Sequence, residues 1–389
     1  MSEHGISLDL LRELKKHGHK IYVVCAIERG DNALTSLSEE AGCTVLRVKI
    51  GKNKKANIIE KGITTLLLPT FYNKAIKKYF SGTKFNLVMY PTPPVTHVDT
   101  VKFIKKRDGA KSYLLLKDIF PQNAVDIGMM TKTGLKSIVY KMFRKKEEKL
   151  YKLSDYIGCM SQANVDYLVK HNPYIDPEKV HVSPNSIELE ECELSTERKL
   201  EIREKYGIPA NATTFIYGGN LGRPQDIPFI IKCLKANADK TDRFFVICGT
   251  GTEYPKLKAY FDEYKPKNVL LINGLPKAEY EEFSKAFDIG LIFLDHRFTI
   301  PNFPSRLLSY MQNKMPVLAC TDPNTDIGKV IVDGDFGWWC ESDKVEHFTE
   351  TVDKAIRADL KPMGENGFIY LSNNYTVEHS YNIIFDCFK

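Results

Sequence analysis

Paired cysteines are missing from this chain. Its nine cysteines stand singly, several inside apolar runs (Cys25, Cys159, Cys248, Cys320). None forms a CxxC pair or a Cys/His ligand spacing, which argues against a zinc site and a disulfide framework and for a reduced compartment. Long apolar runs are missing too. No stretch is long enough to span a bilayer, and the first residues lack the basic-then-apolar pattern of a secretory signal. Internal repeats and low-complexity segments are absent, which sets aside solenoids and compositionally biased tracts. Charge of one sign is in small excess only: +6, with a pI near 8.6. That is too weak by itself to argue for nucleic acid.

What is present is an ordinary globular composition, 43% hydrophobic and 27% charged, over 389 residues. That length predicts about two domains, each with its own core. The first half reads as a helix (Gly5–Lys16), a strand (21–26), a strand (43–50), a long helical region near Asn57–Tyr79 and a strand (85–90). A helix to Arg107 follows, then strand 111–116, a basic helix over 133–153, strand 155–160, a helix to His171 and a short strand at 179–183. Pro184 and Asn185 end this alternation, and Ile187–Lys199, charged and free of Pro and Gly, reads as a linker or an exposed helix. Alternation resumes at 213–219 and continues through strands near 244–249, 268–274, 289–294, 317–320 and 337–340. Such order predicts α/β architecture, with parallel sheets covered by helices on both faces. The expected division is an N-terminal domain 1–186, a linker 187–210 and a C-terminal domain 211–365, with helices of 366–389 packing back on the first domain. An α/β domain normally opens on a strand. This chain enters a helix at once, so a first strand is expected to be missing from the N-terminal domain.

One stretch organises the second half: Asp288–Cys320, DIGLIFLDHRFTIPNFPSRLLSYMQNKMPVLAC. The run IGLIFL suits a strand buried on both faces. Pro301 and Pro304 break the loop after it. Ser305 suits an N-cap, and Leu307, Leu308 and Met311 share one helical face. A helix starting just past the C-terminal end of a parallel strand is where open α/β sheets hold ligands. Free amides of its first turn and the guanidinium of Arg306 favour an anion, a phosphate or diphosphate. A second stretch, TFIYGGNLGRPQDI (214–227), ends a strand in Gly218, Gly219 and Gly222, with Asn220, Arg223 and Gln225 among them. Glycine lets backbone approach a ligand and Arg223 can clamp an anion. It is not a GxGxxG fingerprint, and a tight strand-to-helix turn explains it equally well.

Together these motifs resemble the GT-B fold glycosyltransferases of the retaining GT4 family, close to the bacterial capsule and O-antigen polysaccharide subgroup with GNLGxxQ and PSRLLSYM-like motifs. LLRELKKHGHKIYVV near the start, VDYLVKHN…PEKVHVSPNSIE before the linker and VDGDFGWWC near the end carry the likeness along essentially the whole chain. The resemblance implies two Rossmann-like domains facing a cleft and transfer of a sugar from a nucleotide-sugar, expected to be a UDP-sugar, to a polyprenyl-diphosphate-linked glycan. It implies a peripheral enzyme in the cytoplasm at the inner face of the membrane, with no cofactor and no metal. Arg223 and Arg306 fall at the diphosphate. Gly219, Asn220, Gly222, Gln225, Gly249, Ser305, Leu307 and Ser309 fall around the donor, and Asp118 falls on the acceptor side. By the same resemblance the missing strand is central in its sheet, so the natural protein is expected to start upstream of Met1, or this form to be unstable. The sequence also departs from the family. Asn220 and Gln225 stand where many members have Arg and Lys, and Pro301 and Ser309 stand where many have two glutamates eight positions apart. Those departures keep two other readings open: a non-catalytic GT-B subunit that binds a partner or glycan, and a nucleotide-sugar epimerase.

Asp118, in KDIFPQNAVDIG (117–128), follows a buried strand. It reads either as a turn cap or as the group that orients an acceptor hydroxyl and stabilises positive charge on the sugar ring. Asp126 is a weaker candidate. The basic stretch 132–152 sets Lys132, Lys136, Lys141, Arg144, Lys145, Lys146, Lys149 and Lys152 against Leu135, Ile138, Val139, Met142, Phe143 and Leu150. It suits an anionic membrane surface, or a solvated face with its apolar side in the core. Asp333-Gly334-Asp335 has a DxD spacing but sits where Asp-Gly marks a turn, so no metal is expected there. His17 and His19 read as structural residues of a helix-to-strand turn, His296 and Arg297 as solvated loop residues or an edge of the donor pocket, and His97 as a strand-end residue for which a cleft role is the less favoured reading.

Overall fold

The computed structural model describes residues 4–27, 34–50, 58–135, 137–190 and 193–389, with backbone alone for 58–63. The helix start expected at Asn57, Lys136 of the basic stretch and Cys192 lie outside the described residues. The chain forms two compact units: Met1–Glu188 with Val377–Lys389, and Leu189–Thr376.

In the first unit, β1 (Tyr22–Ala26), β2 (Ser36–Glu40) and β3 (Cys43–Val48) make a sheet in the order β1-β3-β2. β1 runs parallel to β3 and β2 antiparallel to it. A second sheet is all parallel, in chain order: β4 (Leu87–Thr92), β5 (Lys111–Leu116), β6 (Tyr156–Cys159) and β7 (Val180–Val182). β2 was not expected. Its residues, SLSEE, show no apolar run, and it is joined to β3 by a tight turn in which Ala41 and Gly42 both have positive φ. The single sheet expected here is thus two sheets among the described residues, and β1 and β4 are each paired on one side only. Both border one core, built from Leu46, Val48, Tyr72, Ile76, Phe80 and Ile104, with Tyr22 and Val24 of β1 and Val88 of β4 against it. The helix Val377–Asp386 belongs to this unit: Tyr381 stacks on His17 at 3.7 Å and hydrogen-bonds His19 at 3.0 Å, while Phe385 stacks on His19.

The second unit has one parallel sheet of six strands: β8 (Thr213–Asn220), β9 (Arg243–Thr250), β10 (Val269–Ile272), β11 (Ile289–Phe293), β12 (Val317–Thr321) and β13 (Gly337–Glu341). Their order is β10-β9-β8-β11-β12-β13. β11 and β12 are buried throughout, as strands covered on both faces must be. The chain winds outward from β8 one way and from β11 the other, so β8 and β11 flank a topological switch point. At the opposite end of these strands, Asp288 accepts from the Thr214 amide at 2.8 Å and from Arg203 at 2.6 Å. Arg203 lies on the helix Thr196–Lys205, capped by the Ser195 hydroxyl, within the stretch expected as linker. Among the described residues, no helix is long and apolar enough to cross a membrane.

Candidate active site

The C-terminal ends of parallel strands at a switch point are where an open α/β sheet leaves a ligand crevice. Here β8 ends in Gly218-Gly219-Asn220, and the chain after β11 loops through Pro301 and Pro304 to the helix Arg306–Gln312. Gly219 has φ of +126°, and the Arg306 guanidinium lies against it so closely that a methyl group would collide. Gly249 is its register partner on β9, and a side chain there would strike the Gly219 carbonyl. The guanidinium stacks on the Tyr217 ring, 4.2 Å from its centroid. Burial opposes the Arg306 charge, but Tyr217, Tyr310 and Tyr280 outweigh it and hold the pKa above the ordinary arginine value. Tyr310 donates to the carbonyls of Ile216 (3.0 Å) and Leu291 (3.2 Å), which bolts this helix to β8 and β11. Arg306 has no acidic partner among the described residues. A cation set in a polar, half-enclosed seat without a counter-ion is built to receive an anion.

The loop after β8 supports this seat. Gln225 Oε1 accepts from the Gly222 amide at 3.0 Å and from Asn220 at 3.3 Å. Arg223 opens a 3-10 turn, is half exposed, and lies 4.0 Å from Glu253. The two loops are tied where the Asp295 amide donates to Pro224 O at 2.9 Å. Asp295 is wholly buried and held by both sides of the Arg297 fork, so Arg297 is engaged in structure. Ser305 is exposed but does not cap through its side chain; its backbone is already helical, so the hydroxyl is misplaced for the amides ahead. Leu307 is fully buried and its amide donates to the Pro304 carbonyl at 3.2 Å. Ser309 is exposed, one residue before the buried Tyr310, and Pro301 is buried.

Asp118 lies just past the C-terminal end of β5, in the first unit. Asn123 donates to its Oδ2 at 2.6 Å, while Oδ1 is buried with no hydrogen bond. Burial pushes its pKa up to about 6, against the Ile119 amide and Asn123. Beside it, burial pulls Lys117 down to about 8. His97, stacked on Tyr72 at 6.0 Å, is brought by burial to about 4 and so stays neutral. Asp126 is engaged by Gln122 at 2.6 Å. Among the described residues, His4, Asp9 and Glu188 converge as a metal site could, but Arg12 bonds all three. That cluster is a salt-bridge knot. Asp333 ends a helix and Asp335 follows in the left-handed region, a turn before β13.

The sequence did not single out Tyr217, Tyr280 or Asp295. Tyr217 stood in plain view two residues before Gly219. Tyr280 comes from a separate helix, Lys277–Ser284, and only packing brings it in.

Residues 198–368 match the family described as Glycosyl transferases group 1. Over 330 residues, 84% of this chain and 80% of the relative, the sequence is 23% identical to probable glycosyltransferase WbjE of Pseudomonas aeruginosa. Among solved structures, sucrose-phosphate synthase of Thermosynechococcus elongatus superposes with a TM-score of 0.76 at 12% identity, covering 97% of this chain and 90% of that one. Anabaena HepE, solved with UDP, gives 0.65 at 13% identity, covering 88% and 85%. The likeness to these solved structures shows a shared GT-B fold, and the match to the glycosyl transferase family lies within the second unit, at residues 198–368.

Proposed function

We propose that this chain transfers a sugar from a UDP-sugar to a hydroxyl of a lipid-linked glycan in cell-surface polysaccharide synthesis, with retention and without a metal. The carrying observation is Arg306, an unpaired guanidinium stacked on Tyr217 against Gly219 at the switch point. A nucleoside diphosphate supplies the anion it lacks. HepE, which shares the fold, was solved with UDP. In the transfer, the bond between the sugar anomeric carbon and the diphosphate oxygen breaks. The acceptor oxygen bonds that carbon on the same face, and its proton passes to the leaving diphosphate. Arg306, with Arg223, stabilises the charge developing on that leaving group. Asp118, half of whose carboxylate makes no hydrogen bond, orients the acceptor hydroxyl.

The test is calorimetric UDP binding by the parent chain and by Arg306→Ala, with and without chelator. Loss of a charge-assisted contact is expected to weaken binding by about tenfold to a hundredfold, and chelator is expected to change nothing. A parent chain that binds neither UDP nor any other nucleoside diphosphate would overturn the reading. Pro301 and Ser309, standing where the resemblance expects glutamates, would then favour the non-catalytic partner subunit. UDP-sugar turnover that releases free epimerised sugar without acceptor would instead identify an epimerase.

A further inference from the structure

Three side chains around the Arg306 seat stand where glycines leave room for them. Gly290 of β11 faces the Tyr310 ring, Gly219 of β8 faces the Arg306 guanidinium, and Gly218 faces the Tyr280 hydroxyl. In each case a methyl group on the glycine would collide with the side chain opposite. Arg306 and Tyr310 share one helix, which places both. Tyr280 comes instead from the helix Lys277–Ser284, between β10 and β11. Successive strand residues face opposite sides, so Tyr217 and the space at Gly218 lie on opposite faces of β8. Arg306 stacks on Tyr217 and lies against Gly219. Tyr280 therefore braces the face of β8 turned away from Tyr217.

The backbone between them needs support. Gly218 and Gly219 have no side chains, Gly219 holds a φ of +126°, and consecutive glycines are the softest stretch a strand can have. Gly249 packs on the Gly219 carbonyl from β9, and the Tyr280 hydroxyl rests on Gly218. Burial pushes the Tyr280 pKa up to about 12 against the charge of Arg306, so the phenol stays neutral and leaves that charge available to a ligand.

We infer that Tyr280 is a positioning residue: its hydroxyl, set in the space of the missing Gly218 side chain, fixes the Gly218–Gly219 backbone and with it the Arg306 guanidinium, so that the anion seat is formed before a diphosphate arrives. Less of the binding free energy then goes into ordering the site. The inference deepens the transfer reading and rests on it only for the identity of the anion, a nucleoside diphosphate.

The experiment is calorimetric titration of the full chain with UDP and with inorganic pyrophosphate. Tyr280→Leu is expected to weaken both about tenfold, and Tyr280→Phe, which keeps the ring, only about threefold. Gly218→Ala displaces the hydroxyl and is expected to match Tyr280→Leu. Gly218→Ala/Tyr280→Leu is expected to lose no more than either single variant, because both act on one contact. Its added methyl refills part of the space the phenol leaves, so a melt close to that of the parent, with affinity still low, separates positioning from stability. In an Arg306→Ala background, Tyr280→Leu is expected to cost nothing further. Parent-like affinity in Tyr280→Leu would overturn the inference. Equal losses with and without Arg306 would also overturn it and assign Tyr280 to packing. A parent that binds pyrophosphate but no nucleoside diphosphate, with the same dependence on Tyr280, would leave this inference standing and the transfer reading fallen. A parent that binds neither would overturn both.

Discussion

Asp118 is a buried carboxyl with an incomplete set of hydrogen bonds, and its titration has a definite sign. Its folded pKa, about 6, lies above the ordinary value of about 4, so the native state holds a proton that the unfolded state has already lost in that window. Its contribution to stability is therefore fully present below about pH 4 and is lost as pH rises through about 6. Asp118→Asn, which cannot ionise, is expected to be more stable than the parent at pH 7 by about 1–3 kcal/mol, with the gap closing toward pH 4. Denaturant unfolding at a series of pH values reads this directly; a gap that does not vary with pH would reject it. If Asp118 works as a carboxylate on the acceptor, the same variant loses turnover while keeping UDP affinity.

At the scale of elements, the helix Thr196–Lys205 closes one end of the six-stranded sheet through a single side chain. Arg203 is 12% exposed and donates to Asp288 at 2.6 Å, to the Ala286 carbonyl at 2.7 Å and to Thr214 at 3.1 Å. Arg203→Ala leaves Asp288 with its Thr214 contacts but without its cation. The expected cost is about 2–4 kcal/mol, below that of a fully buried pair because Asp288 is partly solvated. Thermal unfolding of the variant measures it, and a loss within error of zero would show that Thr214 alone suffices for Asp288. This element was hard to read because TERKLEIREK is charged along its length and buries only Ile202. Its helix is stabilised by the Ser195 cap and by Arg203 reaching the sheet, and neither depends on an apolar period.

For the whole molecule, the last helix returns to the first unit. Val377 donates its amide to Ile187 at 3.2 Å, Ile384 is fully buried, and Tyr381 and Phe385 close over His17 and His19. Deleting Val377–Lys389 is expected to cost the first unit on the order of 5 kcal/mol in lost apolar burial. Calorimetry should then show an early transition while the second unit melts as before; coincident, unshifted transitions would contradict the assignment of this helix.

The alternation of apolar strands with amphipathic helices was determined by the sequence itself, and with it the α/β class and the parallel sheets. A strand buried on both faces must be apolar at every position, so its signature is local and survives without neighbours. The same local logic marked Gly219 and Arg306 as chemistry-bearing residues. Only the tertiary structure decided that they touch, because strand order is a long-range property: β11 pairs with β8 across two intervening strands, and no local pattern records that. Packing alone likewise decided which arc of the basic helix faces inward and that SLSEE is a strand. In each case the free energy lies in contacts between residues far apart in the chain, where a reading of periodicity has nothing to register.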